Sequence, residues 1–212
     1  MRLVVYTAIF GNYDNLIEIP TPKNGIDYIC FTDNAKLRSA TWEIRHKLLD
    51  TDSCRAARLI KICPHRFLPD KYDYSMWIDG SMRLKITPLV SSLLGESALM
   101  ASIHPSRDCV YEEAIACKKL KKDEPKIINE QMKFYKDVIK FPSHAGLWET
   151  GVLLRKHNDR ELVLLNELWW NVVKLYSKRD QLSFPIVFSD YNFVSFRRMA
   201  QYKIVKSVQH NG

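Results

Sequence analysis

Four short segments of this 212-residue chain carry side chains suited to chemistry. Asp79-Gly80-Ser81 follows the apolar run 74–78 and offers a carboxylate and a hydroxyl at the exit of a buried strand. A hard divalent ion such as Mg²⁺ or Mn²⁺ takes oxygen ligands, and one or two protein carboxylates suffice when a diphosphate completes its shell. Gly80 would let the backbone approach that diphosphate. Arg55, Arg58, Lys61, His65 and Arg66 form a basic cluster. Within it, Arg58 and Lys61 stand three apart, share a helix face and are suited to neutralise phosphates. In the third segment, Gly146 and Gly151 bracket Glu149 just before an apolar run, a pattern that suits close approach to a ligand. The fourth, Lys178-Arg179-Asp180-Gln181-Leu182-Ser183-Phe184, mixes the donors and acceptors that sugar hydroxyls require. Histidine is less informative, because His46, His65, His144 and His157 share no metal-binding spacing. His104 opens a strand exit, His104-Pro105-Ser106-Arg107-Asp108, and His210 stands in the last three residues.

Regular elements must hold these groups in place. Apolar, β-rich runs occur at 3–7, 28–31, 74–78, 99–103 and 151–154. Helical patterns lie between them at 53–62 and 108–120, and a third begins with the cap-like Asn158-Asp159-Arg160-Glu161. In the second of these, Glu112 and Glu113 come early and Lys118 and Lys119 late, which complements a helix dipole. Strands alternating with helices predict an α/β sandwich around a mostly parallel sheet, in which ligands collect at the carboxyl ends of the strands. No repeat, low-complexity tract or Ser/Gly linker divides the chain, so residues 1–212 are read as one domain.

The balance of the composition limits the partners. With 32 Lys+Arg against 24 Asp+Glu the net charge is +8, which calls for an anionic ligand. Nucleic acid is disfavoured, because the 24 Phe, Trp and Tyr residues sit mostly in apolar patterns and not along one basic stripe. The lysine run 118–126 is read as a solvated face. Five cysteines without a Cys-x-x-Cys pair point to reduced thiols, and polar Asn12, Asp14 and Asn15 interrupt any signal-length apolar start. No run reaches the ~20 apolar residues of a membrane span. A cytoplasmic location follows as the expectation, with peripheral association at the inner face of a membrane left open.

The ordered set of segments is more specific than any one of them. It runs from Val5-Tyr6-Thr7-Ala8-Ile9-Phe10-Gly11-Asn12-Tyr13-Asp14 through Asp27-Tyr28-Ile29-Cys30-Phe31-Thr32-Asp33 to Arg55-Ala56-Ala57-Arg58-Leu59-Ile60-Lys61 and Pro64-His65-Arg66. Tyr74-Ser75-Met76-Trp77-Ile78-Asp79-Gly80, the His104 segment, Gly146-Leu147-Trp148-Glu149 and Arg179-Asp180-Gln181-Leu182-Ser183 complete it. This order resembles the glycosyltransferase-like domain family named after plant turgor-regulation and mucilage-related proteins, over roughly 4–184. The resemblance implies a GT-A-like, Rossmann-type α/β/α sandwich, a nucleotide-sugar donor and a glycan acceptor. It further implies that Tyr6, Thr7, Ala8 and Asp33 hold the nucleoside, with Arg58, Lys61, His104 and Arg179 gripping the nucleotide sugar. Asp79 matches the metal-binding Asp-x-Asp position, from which the chain departs at Ser81, and His210 resembles a late metal-binding His. Asp180 and Gln181 resemble a pair beside the transferred sugar, and Glu149 a sugar contact. Two functional readings follow: a metal-assisted transferase using Mn²⁺ or Mg²⁺, or a non-catalytic nucleotide-sugar or glycan-binding domain of the same fold.

Overall fold

The computed structural model describes residues 1–84, 93–196 and 205–207. Seven strands form the main sheet: β1 (Leu3–Ile9), β2 (Ile26–Thr32), β3 (Glu43–His46), β4 (Tyr74–Ile78), β6 (Leu99–Ile103), β7 (Trp148–Lys156) and β8 (Val194–Phe196). Their spatial order is β3-β2-β1-β4-β7-β6-β8. Two further strands, β5 (Met82–Leu84) and β9 (Val205–Ser207), pair antiparallel in a small second sheet. In the main sheet β7 alone is reversed, running antiparallel to both β4 and β6. The other pairings are parallel.

All seven residues of β1 are buried, as expected for a central parallel strand covered on both faces. Strand alternation divides them. Val4, Tyr6 and Ala8 join Ile29, Phe31, Trp77 and Leu153 beneath the helices α1 (Ser53–Ile62) and α4 (Arg160–Leu175). Leu3, Val5 and Ile9 face the other way, onto Ile19, Trp42, Leu84 and Leu94. Both helices start on an aspartate: Asp52 accepts from the backbone N–H of Arg55 at 3.0 Å, and Asp159 from that of Leu162 at 2.9 Å. Helix α1 buries Ala56 and Ile60, and α4 buries Leu162, Trp169 and Val173. The helices α2 (Val110–Lys119) and α3 (Pro125–Phe134) form a hairpin whose core includes Ala114, Cys117 and Ile128 with Leu182. A short helix, α5 (Phe184–Val187), stacks Phe184 on Phe188, ring centroids 4.5 Å apart, beside Trp169.

The sequence expectations differ from this structure at definite points. Helix α1 spans the expected 53–62, whereas α2 starts two residues later than expected because Cys109 is its extended N-cap residue. Strand β7 begins at Trp148, so Glu149 lies inside a strand instead of before one. Trp148 draws the strand back by pairing with Ile103 and packing its ring on Phe184 and Phe193. Helix α3 lies partly in the lysine-rich stretch read as solvated, and it buries Ile128 and Gln131. All five cysteines are free thiols. Among the described residues, no helix is long and apolar enough to cross a membrane.

Candidate active site

The sheet order brings the chemistry to one place. Strand β1 pairs with β2 on one side and β4 on the other, and a crevice opens at the carboxyl ends where the order reverses. Because β7 is reversed, its first residues arrive at this same end and meet the last residues of β4. The Asp79 N–H donates to the Gly151 carbonyl at 2.9 Å, and the Met82 N–H closes a turn on the Asp79 carbonyl, also at 2.9 Å. A cleft of about 540 Å³ occupies the crevice. Ala8, Tyr13, Asp14, Cys54, Arg58, Lys61, Trp77, Asp79, Ser81, Glu149, Thr150 and the segment Lys178, Arg179, Asp180, Gln181 line it.

At its floor lies a buried ionic cluster. Asp180 and Lys61 are 2 % and 1 % exposed, and the Lys61 Nζ stands 2.6 Å from Asp180 Oδ2. Arg58 Nε lies 2.9 Å from Asp180 Oδ1. Thr150 donates its hydroxyl to Asp180 Oδ2 at 2.8 Å and accepts from Lys61 Nζ at 3.0 Å. Burial alone would raise the Asp180 carboxyl, but Arg58 and Lys61 outweigh it and hold the group well below the usual carboxylate range. The same burial draws the Lys61 ammonium below its ordinary value, only partly offset by Asp180 and Asp79. Asp180 is therefore an anion that orients two cations, and a carboxylate so held cannot exchange protons near neutral pH.

Asp79 is fixed differently. Its Oδ1 accepts from Trp77 Nε1 at 2.7 Å and lies 3.5 Å from Lys61 Nζ. Its Oδ2 faces Gly151, where an added Cβ would come within 3.3 Å of it and within 2.4 Å of Met82 Cε. At Gly80 the close neighbour is a side chain of the protein: a Cβ there would meet Asp14 Oδ2 at 3.1 Å. The bare glycine thus makes room for a second carboxylate, carried on the loop that follows β1. Asp79, Asp14 and Ser81 thus present the hard oxygen donors that Mg²⁺ or Mn²⁺ prefers.

Among the described residues, one group of three metal-type ligands lies close together, Cys63, His65 and Glu167. It sits outside the cleft lining and is better described as an ion pair. Arg66 engages both Glu167 oxygens, His65 Nε2 lies 2.7 Å from Oε1, and burial pushes the Cys63 thiol up to about 12.

Of the residues singled out from sequence, Ala8, Arg58, Lys61, Asp79, Ser81, Glu149, Arg179, Asp180 and Gln181 converge on the cleft. Tyr6, Thr7, Asp33 and His104 are not part of its lining. The Tyr6 hydroxyl is buried beneath it, donating to the Lys61 carbonyl at 3.0 Å and accepting from Arg155 at 2.9 Å. Thr7 is buried in β1. Both Asp33 carboxylate oxygens accept from the Gly11 N–H, at 3.1 and 3.0 Å, which anchors the loop leaving β1. His104 Nδ1 accepts from the backbone N–H groups of Ser106 at 3.3 Å and Arg107 at 3.0 Å, folding the strand exit back on itself. His210 falls outside the described residues. Trp77, Asp14 and Lys178 lie in segments singled out from the sequence but carried no individual role there, and Thr150, Lys121 and Lys122 join them in the lining. Lys121 and Lys122 are exposed, as expected of the 118–126 run, and both also line the cleft.

Thr150 gives a direct test of the cluster. Thr150→Val keeps the shape but leaves Lys61 and Asp180 each short of a hydrogen bond. The expected loss is about 1.5–3 kcal/mol in urea unfolding, as for bonds to charged groups.

An open, mostly parallel α/β sheet with one reversed strand, and a cleft at its strand ends, is a GT-A-like architecture. The chain belongs to the TOD1/MUCI70, glycosyltransferase-like domain family, whose sequence profile matches residues 1–210. It is 30% identical over 218 residues to the probable hexosyltransferase MUCI70 of Arabidopsis thaliana, covering 87% of this chain and 37% of that protein. It is 29% identical over 222 residues to the alkaline ceramidase TOD1 of the same plant, covering 87% and 48%. The chain therefore spans less than half the length of either relative. Among solved structures, the apo bifunctional glycosyltransferase WbbM superposes with a TM-score of 0.51 at 16% identity, covering 92% of this chain and 38% of that one. Mouse xyloside xylosyltransferase 1 in its apo form gives 0.50 at 9% identity, with coverage of 92% and 83%. These two likenesses establish the fold.

Proposed function

We propose that this chain transfers a sugar, of hexose type, from a nucleoside-diphosphate sugar to a glycan or glycoconjugate acceptor. The observation that carries the reading is the cleft at the β4 exit, which Asp79 lines together with half-buried Arg58 and buried Lys61, both oriented by Asp180. Breaking the glycosidic bond of such a donor leaves charge on the diphosphate. Preorganised cations in a site with little water stabilise that charge far more than they would in bulk solvent. Asp79, with Asp14 and Ser81, fits Mg²⁺ or Mn²⁺, which would add Lewis-acid stabilisation of the leaving group. Arg58 and Lys61 bind and orient, held from behind by Asp180 and Thr150. Gln181 and Glu149 supply the amide and carboxylate that sugar hydroxyls recognise.

The ceramidase name of one relative raises a second chemistry, hydrolysis of an amide. That reaction needs a base to activate water, and the buried carboxylate of this site, Asp180, is locked as an anion between two cations. The cleft favours an anionic donor over a neutral lipid amide. Calorimetry with UDP, GDP and CMP, with and without Mn²⁺, followed by sugar turnover over an acceptor panel and a ceramide-hydrolysis assay, separates the readings. Nucleotide binding with turnover supports the transferase, whereas binding without turnover supports the non-catalytic domain. Failure to bind any nucleotide, or hydrolysis of ceramide, overturns the proposal.

A further inference from the structure

The lysines of the α2–α3 turn are unexplained by the fold, and one of them stands where the fold disfavours it. Helix α2 ends with the Lys121 N–H donating to the Lys118 carbonyl at 3.1 Å and the Lys122 N–H to the Cys117 carbonyl at 2.9 Å. This is a Schellman ending, whose left-handed residue is usually glycine because a Cβ strains that conformation. Here the position is Lys121, at φ 51. Lys121 and Lys122 are exposed and belong to the cleft lining. The turn is also fastened to the opposite wall. Asp123 Oδ2 accepts from the Ser177 hydroxyl at 2.7 Å and from the Lys178 N–H at 2.9 Å. From the same segment, the buried Ser177 N–H donates to Gln131 Oε1 at 3.3 Å. The turn at 120–123 and the segment carrying Arg179, Asp180 and Gln181 are thereby held as one unit.

The side chains around the cleft make the need for such a residue concrete. Six cations, Arg58, Lys61, Lys121, Lys122, Lys178 and Arg179, face four acids, Asp14, Asp79, Glu149 and Asp180. Arg58 and Lys61 are already paired with Asp180 behind them, so further positive charge for an incoming anion comes from the turn and the segment clamped to it.

We infer that Lys121 is a ligand-binding residue, a strained lysine whose ammonium contacts the diphosphate of the cleft's nucleotide ligand. The inference rests on the nucleotide-sugar reading and assigns it a residue outside the matched motifs. A glycine at this position would suit the backbone better, so fold and function pull in opposite directions there. Lys140 carries the same strain away from the cleft, so it is the place of Lys121 in the cleft lining that assigns its role.

The experiment compares the full-length protein with Lys121→Gly and Lys140→Gly. Lys140 also adopts a left-handed conformation after a helical segment, at φ 57, but lies outside the cleft lining. Relief of backbone strain should raise Tm in both variants by about 1–3 °C. Calorimetric titration with UDP, GDP and inorganic pyrophosphate should then show Lys121→Gly binding roughly 3- to 10-fold more weakly, with a shallower salt dependence. Lys140→Gly should bind as wild type does. If wild type binds a nucleoside diphosphate and Lys121→Gly binds it equally well, the inference fails while the proposed function stands. If wild type binds none of the three probes, the functional reading itself fails. A fall in Tm for Lys121→Gly would also overturn the inference, since the lysine would then be serving the fold.

Discussion

Asp180→Asn is expected to cost about 3–5 kcal/mol of folding stability, because it leaves buried Lys61 and half-buried Arg58 without their counter-charge. The carboxylate lies 2.6 Å from one cation and 2.9 Å from the other and is 2 % exposed, so water cannot take its place. Urea unfolding of both proteins at neutral pH measures the loss. The pH dependence provides a second readout. Arg58 and Lys61 hold the folded Asp180 carboxyl well below its unfolded value of about 3.9. In acid the unfolded chain therefore binds the proton first, and lowering the pH favours unfolding. This contribution is complete above about pH 4 and is lost as the pH falls toward the folded value. The variant should lack that share of the acid slope and keep the shares of Glu167, Asp27 and Asp52, which are also held low. A variant as stable as wild type would show that the cluster contributes specificity of structure and no net stability. Replacing Arg58 and Lys61 by Met together with Asp180→Leu should restore part of the stability and none of the nucleotide binding.

Asp79→Asn carries the second large effect, and here the fold should survive. Asparagine can still accept from Trp77 Nε1 through its carbonyl oxygen, so the turn from β4 into β5 keeps its 2.7 Å anchor. The charge is lost from a carboxylate in the cleft lining. The enhancement of nucleotide affinity by Mn²⁺ should fall at least tenfold, ~1.4 kcal/mol, while metal-free affinity and Tm change little. Titrations of UDP and GDP with and without Mn²⁺ measure it. Unchanged metal dependence would remove Asp79 from the ligand set and shift attention to Asp14.

How much of this site could be read from the sequence depends on what a sequence encodes locally. Asp79 and Glu149 were legible because each adjoins an apolar run, and strand ends are where ligands gather. Arg58 and Lys61 were legible because their spacing places them on one face of α1. Tyr6, Thr7 and Asp33 belong to the right segments but point elsewhere, since alternation along a strand decides which residues face the crevice only once register is known. Tyr6 faces α1, and its hydroxyl meets the backbone of Lys61 instead of a ligand. Thr150 looks like any strand threonine until β7 is seen to run backwards. Lys121 and Lys122 share composition with a solvated run, and a clamp from Asp123 to Ser177, 54 residues onward, sets the place of their turn. Strands β3, β5, β8 and β9 have three or four residues each, too few for alternation to show.

The reversed strand has a further consequence, for the order in which the site comes into being. Thr150 and Lys61 stand 89 residues apart in the chain, and Asp180 follows later still. A ribosome releases α1, with Arg58 and Lys61, long before it makes either partner. Until β7 inserts beside β4, these two cations have no buried place and remain in water. Their burial therefore depends on partners made later in the chain, and a chain shortened before Asp180 would carry Arg58 and Lys61 without the anion that aligns them. The ion cluster ties distant parts of the chain together: the site acquires its electrostatic form only when α1, β7 and the Asp180 segment have met.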